Sequence, residues 1–230
     1  MSLSFDLYKK LHHFDLDVSF DMKDELLVIE GPSGAGKTTI LNCLAGIVNA
    51  DSGEIILDGK TLFSRAAAPS ETAKQARATI NIPIEDRNIS YLFQNYALFP
   101  HMTVRGNIIY GLKNKDEYRN KASRKALLDY ADHMMDILGI YHLADKSAAA
   151  ISGGEKQRTA LARAMVTKPS LLLLDEPFSA LDENTKEKIY EEFAEFKRTL
   201  KIPTILITHD HRETELFADK HITLKEGRIL

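Results

Sequence analysis

Residues Gly31-Pro32-Ser33-Gly34-Ala35-Gly36-Lys37-Thr38 follow the pattern G-x-x-x-x-G-K-[ST]. Glycines at this spacing let the backbone curl until successive N–H groups point at phosphate oxygens. A helix starting directly after the loop adds partial positive charge at the same place. Lys37 supplies a full charge for β- and γ-phosphates, and the Thr38 hydroxyl suits Mg²⁺. Ser33, Gly34, Ala35, Gly36 and Thr39 are the candidate phosphate-binding residues beside Lys37 and Thr38. A bland alternative, a Gly-rich turn beside a stray lysine, fits less well. An apolar run, Leu26–Glu30, precedes the loop, and Thr39–Ala45 reads as a helix ending at Gly46.

A second chemical element follows the wholly apolar run Leu171–Leu174. Asp175-Glu176-Pro177 comes directly after it. In a parallel sheet, ligands sit beyond the carboxyl ends of strands. Asp175 would emerge there and can hold Mg²⁺ through water. Glu176, one residue on, can polarise a water for in-line attack on a γ-phosphate. Strands often end in acids at turns, so this pair gains meaning from the loop at Gly31–Thr38.

The elements that must position these groups are legible from periodicity. Leu3, Phe5 and Leu7 alternate with polar residues, as do Phe14, Leu16, Val18 and Phe20, predicting two strands joined through the polar stretch Lys9–His13. Further strands are expected at Leu26–Glu30, Ile55–Leu57 (closed by Asp58-Gly59), Ile89–Phe93, Leu171–Leu174 and Thr204–Ile207. A hairpin is expected around Glu226-Gly227. Helices are expected at Ser123–Leu138 and Gly154–Thr167. Another runs over Glu183–Leu200, where Ile189, Phe193, Phe196 and Leu200 share a face. Thr61–Arg87 has little period and reads as a loop with one short helix. Strands alternating with helices predict an α/β layered fold with a mainly parallel sheet.

Composition excludes several classes. The chain has 230 residues, 44% hydrophobic and 27% charged, with formal net charge −3. That is ordinary globular composition and gives no cue to nucleic acid as a partner. No apolar run reaches the roughly 20 residues that span a bilayer. Met1–Tyr8 lacks the layout of a signal peptide, so a cytoplasmic chain is expected. The single cysteine, Cys43, allows no internal disulfide. It reads as a small buried helix residue or as a reactive thiol.

Ile151-Ser152-Gly153-Gly154-Glu155-Lys156-Gln157-Arg158 places small residues before a helix, another anion-friendly turn. It resembles the signature of ATP-binding cassette (ABC) ATPases, Leu-Ser-Gly-Gly-Gln followed by a basic stretch. Other motifs fall in the family's order. Gln94 matches its Q-loop glutamine, Ser179-Ala180-Leu181-Asp182 its D-loop, His209 its switch histidine, and Phe14 its adenine-stacking aromatic. Ile151 and Glu155 depart from the consensus, and Glu155 adds negative charge near a phosphate site. Glu155 is expected to point away from the nucleotide.

The resemblance implies a P-loop NTPase fold. It has a RecA-like core sheet, an N-terminal antiparallel β subdomain and an inserted helical subdomain, in one ABC ATPase domain. The core is expected at about 1–94 and 159–230, and the helical part at about 95–158. ATP and Mg²⁺ are the implied ligands, with Thr38, Gln94 and Asp175 at the metal. Glu176, His209 and Gln94 are the implied catalytic set. A second copy would pack head to tail, so that Ser152, Gly153, Gly154 and Asp182 face its partner's nucleotide. Membrane permease subunits, and indirectly a solute-binding protein, are the implied partners at the cytoplasmic face of the membrane.

The stretch Phe93–His101 followed by Val104–Ile108 is similar to importer ATPases for oxyanions. Within them the molybdate/tungstate group is favoured, with sulfate, iron(III) and polyamine importers behind it. A soluble ABC ATPase is the alternative. The repair type would carry a long coiled coil and the translation type two cassettes, and neither pattern is visible. A P-loop kinase would need an acceptor site and lid arginines.

Other residues keep two readings. Phe14 stacks on adenine or fills core. Tyr96, Leu98 and Phe99 form a docking surface or pack a helical subdomain. His209-Asp210-His211 ligates a metal or forms a strand-end loop. His12, His13 and His101 read as surface loop residues.

Overall fold

The computed structural model describes residues 1–66, 79–179, 181 and 183–230. Two compact units divide the chain. The first comprises Met1–Tyr91, Ser170–Asp175 and Lys201–Leu230, and the second Leu92–Pro169 and Glu176–Leu200.

The first unit holds two sheets. One is antiparallel, in the order β2-β1-β4-β5-β6, from β1 (Leu3–Lys10), β2 (Asp15–Met22), β4 (Ser52–Leu57), β5 (Lys60–Arg65) and β6 (Ile80–Asn81). The other runs β11-β10-β3-β9-β8-β7, from β3 (Leu26–Glu30), β7 (Ile89–Leu92), β8 (Leu171–Asp175), β9 (Thr204–Ile207), β10 (Lys220–Lys225) and β11 (Arg228–Ile229). Pairs β10/β3, β3/β9 and β9/β8 are parallel, so β3 and β8 deliver their carboxyl ends to the same edge. The expected α/β architecture is present.

Period explains which residues go inside. On β1 and β2 the buried residues are Leu3, Phe5 and Leu7, and Leu16, Val18 and Met22, with Phe20 half-buried at the remaining alternate position. β8 is buried throughout, four leucines ending in Asp175, the apolar run expected of a central parallel strand. The core cluster joins these faces to Ile40, Leu41, Cys43 and Leu44 of α1 (Lys37–Ala45). Burial pushes the Cys43 thiol up to about 11, which makes it an inert packing residue. α7 (His211–Phe217) packs against β3.

Thr61–Arg87 differs from expectation. Its first part is a strand, β5, in which Leu62 is an extra residue opposite β4: Ile55 pairs with Phe63 and Ile56 with Thr61. Such a bulge puts Leu62 and Phe63 both in the core and erases the alternation that would have marked a strand. Among the described residues its helical part is one 3₁₀ turn, Ile84–Asp86. Residues 67–78 lie outside the described residues.

The second unit is helical: α2 (Val104–Ile108), α3 (Asp116–Arg119), α4 (Lys121–Ile137), α5 (Gly153–Val166) and α6 (Glu183–Leu200). α5 packs against α2 and α4. Met134 and Leu138 meet Leu161 and Met165 and the α6 face Phe193/Phe196 around a cavity of about 220 Å³. α2, α3 and α7 are too short to show a helical period in sequence.

Candidate active site

The chemistry-bearing residues fall into two groups, one on each unit. On the first unit, β3 ends at Glu30 and the loop 31–36 leads into α1. Gly31 has φ 143°, and a Cβ there would meet the Leu224 carbonyl oxygen at 2.2 Å, so only glycine fits. Gly36, at φ 104°, is the N-cap of α1 and offers no side chain to the first-turn N–H groups. No acid occupies that first turn, which leaves the positive helix end for an anion.

Lys37 is only 7% exposed. Its ammonium donates to the carbonyls of Gly31 at 2.6 Å and Pro32 at 3.0 Å, folding the side chain back over the loop. The Thr38 hydroxyl donates to Asp175 Oδ2 at 2.9 Å, joining the loop to the end of β8. Burial beside Asp175 raises the pKa of the Tyr91 phenol, which keeps it neutral. Ser33, Gly34 and Thr38 are exposed, Ala35 is buried, and Gly36 and Thr39 are half-buried. The donor set fits a triphosphate with its divalent ion. It offers curled backbone, one ammonium, and a hydroxyl and a carboxylate in contact.

Phe14 lies just before β2 and is half-buried. A Cβ at Gly36 would sit 3.6 Å from its ring, so the aromatic face borders the loop. His209 is exposed between β9 and α7. Asp210 caps α7 by accepting from the Arg212 N–H at 3.0 Å, and His211 approaches Glu30. Among the described residues no group of three His, Cys, Asp or Glu side chains could hold a metal ion, against the reading of His209 to His211 as ligands.

On the second unit, Gln94 Nε2 donates to Glu176 Oε2 at 3.1 Å. Glu176 itself has φ 50°, a left-handed conformation that persists only where the surroundings over-determine it. Its carbonyl accepts from the Ser179 hydroxyl at 3.0 Å and from Gln157 Nε2 at 3.5 Å. Ser152 caps α5, with Gly153 exposed and Gly154 half-buried on its first turn. Asp182 and Ala180 lie outside the described residues.

Glu155 takes part in a capping box. Its carboxylate accepts from the Ser152 N–H at 2.7 Å while Ser152 Oγ accepts from the Glu155 N–H at 3.4 Å. Hydrogen bonds from the Ser152 N–H, and next from its side chain, lower the Glu155 pKa below the ordinary 4.5. The acid is thus turned toward its own N-cap. The spacing Ser-x-x-Glu is the signal that could have shown this from sequence.

The ABC transporter family profile matches residues 15–179. The chain belongs to the ABC transporter family. It is an ABC ATPase, similar over 223 residues at 40% identity to the molybdate/tungstate import ATP-binding protein WtpC of Archaeoglobus fulgidus, covering 96% of this chain and 82% of that protein. The sulfate/thiosulfate import ATP-binding protein CysA 2 of Agrobacterium fabrum is 37% identical over 227 residues, covering 99% of this chain but 60% of that protein. Among solved structures, the dimeric structure of MJ0796, a bacterial ABC transporter cassette, superposes with a TM-score of 0.79 at 25% identity, covering 100% of this chain and 96% of that one. These matches agree with the resemblance carried by the motifs and with the RecA-like fold. Among the described residues no helix is long and apolar enough to cross a membrane.

Proposed function

We propose that this chain is the ATP-hydrolysing subunit of an importer, peripheral at the cytoplasmic face of the membrane, serving a small oxyanion of the molybdate/tungstate class. The observation that carries the ATPase part is the pairing of motif residues distant in sequence: Thr38 with Asp175, and Gln94 with Glu176. The names of the relatives support the importer part. The presence among them of sulfate, spermidine/putrescine and Fe(3+) importers keeps the solute open to test.

In this reading the whole chain works as one ABC ATPase domain. The N–H groups of residues 33–39 and Lys37 bind the phosphates, and Phe14 stacks on adenine. Thr38, Asp175 and Gln94 would hold Mg²⁺, which would supply positive charge against that developing on the phosphates. Glu176, one peptide bond beyond Asp175, takes the proton of the attacking water. His209 contacts the γ-phosphate. A second copy packs head to tail, so that Ser152, Gly153, Gly154 and Asp182 complete its partner's site. Closure then drives permease subunits, which receive solute from a binding protein.

The test is a gentle-detergent pull-down of the tagged Glu176→Gln chain with ATP. A multi-span membrane protein in the eluate is the expected result, and its binding partner can be titrated with molybdate, tungstate and sulfate. Ribosomes or DNA-bound proteins without a membrane subunit would overturn the importer reading and leave the ATPase standing.

A further inference from the structure

Gln94 sits in a turn that has no glycine to relieve it. The Tyr96 N–H donates to the Phe93 carbonyl at 2.8 Å and the Ala97 N–H to the Asn95 carbonyl at 2.8 Å. Tyr96 and Ala97 are successive left-handed residues, with φ 63° and 45°. Such backbone needs an outside clamp. Arg163 of α5 provides it. Its Nη2 donates to the Tyr96 carbonyl at 2.7 Å and its Nη1 to the Ala97 carbonyl at 2.8 Å. The same guanidinium lies 5.8 Å from the centre of the Phe99 ring.

The far end of the segment is held as firmly. Asn107 of α2 is fully buried. Its Oδ1 accepts from the Phe99 N–H at 2.8 Å, while its Nδ2 donates to the carbonyls of Phe99 at 3.1 Å and Thr103 at 3.0 Å. Two polar side chains from two helices, Asn107 buried and Arg163 half-buried, thus fix the backbone just after Gln94. A planar fork holds two consecutive carbonyls in a fixed geometry that a flexible ammonium reproduces only in part.

We propose that Arg163 is a positioning residue for ATP hydrolysis: by clamping the Tyr96 and Ala97 carbonyls it holds the turn that presents Gln94 to Glu176. The signature helix α5 thereby bears directly on the Q-loop. This rests on the role of Gln94 in turnover proposed above.

The experiment compares the purified full chain with Arg163→Met, Arg163→Lys, Gln94→Ala and the Arg163→Met/Gln94→Ala double variant, reading kcat and KM for ATP together with thermal stability. Arg163→Met is expected to lower kcat roughly 10- to 100-fold, the scale of an ångström-level misplacement, with KM changed less than about twofold. Arg163→Lys should recover part of the loss. The double variant should be no slower than Gln94→Ala alone, a non-additivity that a merely structural role would not produce. If Arg163→Met does not fold, Arg163→Lys and its double with Gln94→Ala carry the same comparison. Unchanged kcat with lowered stability, or rate losses that multiply in the double variant, would overturn the inference. Wild-type turnover by Gln94→Ala would instead remove the role of Gln94 on which it stands.

Discussion

Arg87 makes the strongest stability prediction. It is 3% exposed, and burial lowers its guanidinium pKa from the ordinary arginine value. Its Nε donates to the Ile82 carbonyl at 2.9 Å, and its Nη2 to Asn81 Oδ1 at 2.8 Å. Its Nη1 donates to the carbonyls of Leu44 at 2.8 Å and Cys43 at 3.3 Å. The last two are end carbonyls of α1, the helix that begins at the phosphate loop. Cys43 O keeps a second donor, the Gly46 N–H at 3.1 Å, so the carbonyl most harmed by removing Arg87 is that of Leu44.

An unsatisfied buried carbonyl costs about 1–3 kcal/mol, and hydrogen bonds from a charged donor contribute about 1.5–3 kcal/mol each. Relief from burying the charge offsets part of this, and Arg87→Met should lose about 3 kcal/mol net. For a chain of this size, that lowers Tm by roughly 6–12 °C. Arg87→Lys should restore no more than about half, since one ammonium cannot span the same acceptors. Thermal unfolding followed by circular dichroism at neutral pH reads the effect. A shift under about 2 °C in Arg87→Met would refute the view that this guanidinium ties the Thr61–Arg87 stretch to α1.

The remaining expectations are simpler. Because the Glu155 pKa is lowered in the folded chain, its capping contribution is complete above the ordinary carboxylate value and disappears as pH falls through the lowered one. Glu155→Ala should therefore cost about 1 kcal/mol at pH 7 and progressively less in acid, while Glu155→Gln keeps the box; a pH-independent loss would contradict this. Lys37→Ala removes the charge held over the phosphate loop, and ATP affinity by calorimetry should fall; unchanged binding would contradict the loop assignment.

Much of the fold and site was legible because it rests on short-range rules. Alternation marked β1 and β2, unbroken apolar runs marked β3, β8 and β9, and the glycine spacing of 31–38 admits few other backbones. What sequence hid has a common cause: it depends on partners distant along the chain. The Leu62 bulge follows from the register between β4 and β5, which no local pattern reveals. Arg87 and Arg163 look like any surface arginine until their carbonyl acceptors, on other elements, are seen. The contact of Gln94 with Glu176 joins residues 82 apart. Glu155 is the opposite case, since its capping box was open to reading from the serine three residues before it.

The most direct test of the proposed chemistry is ATP turnover by the Glu176→Gln chain, with nucleotide binding measured on the same preparation. Loss of turnover by roughly 100-fold or more with ATP binding retained is the predicted result, the scale expected for removing a general base. Hydrolysis at the wild-type rate would take Glu176 out of the reaction.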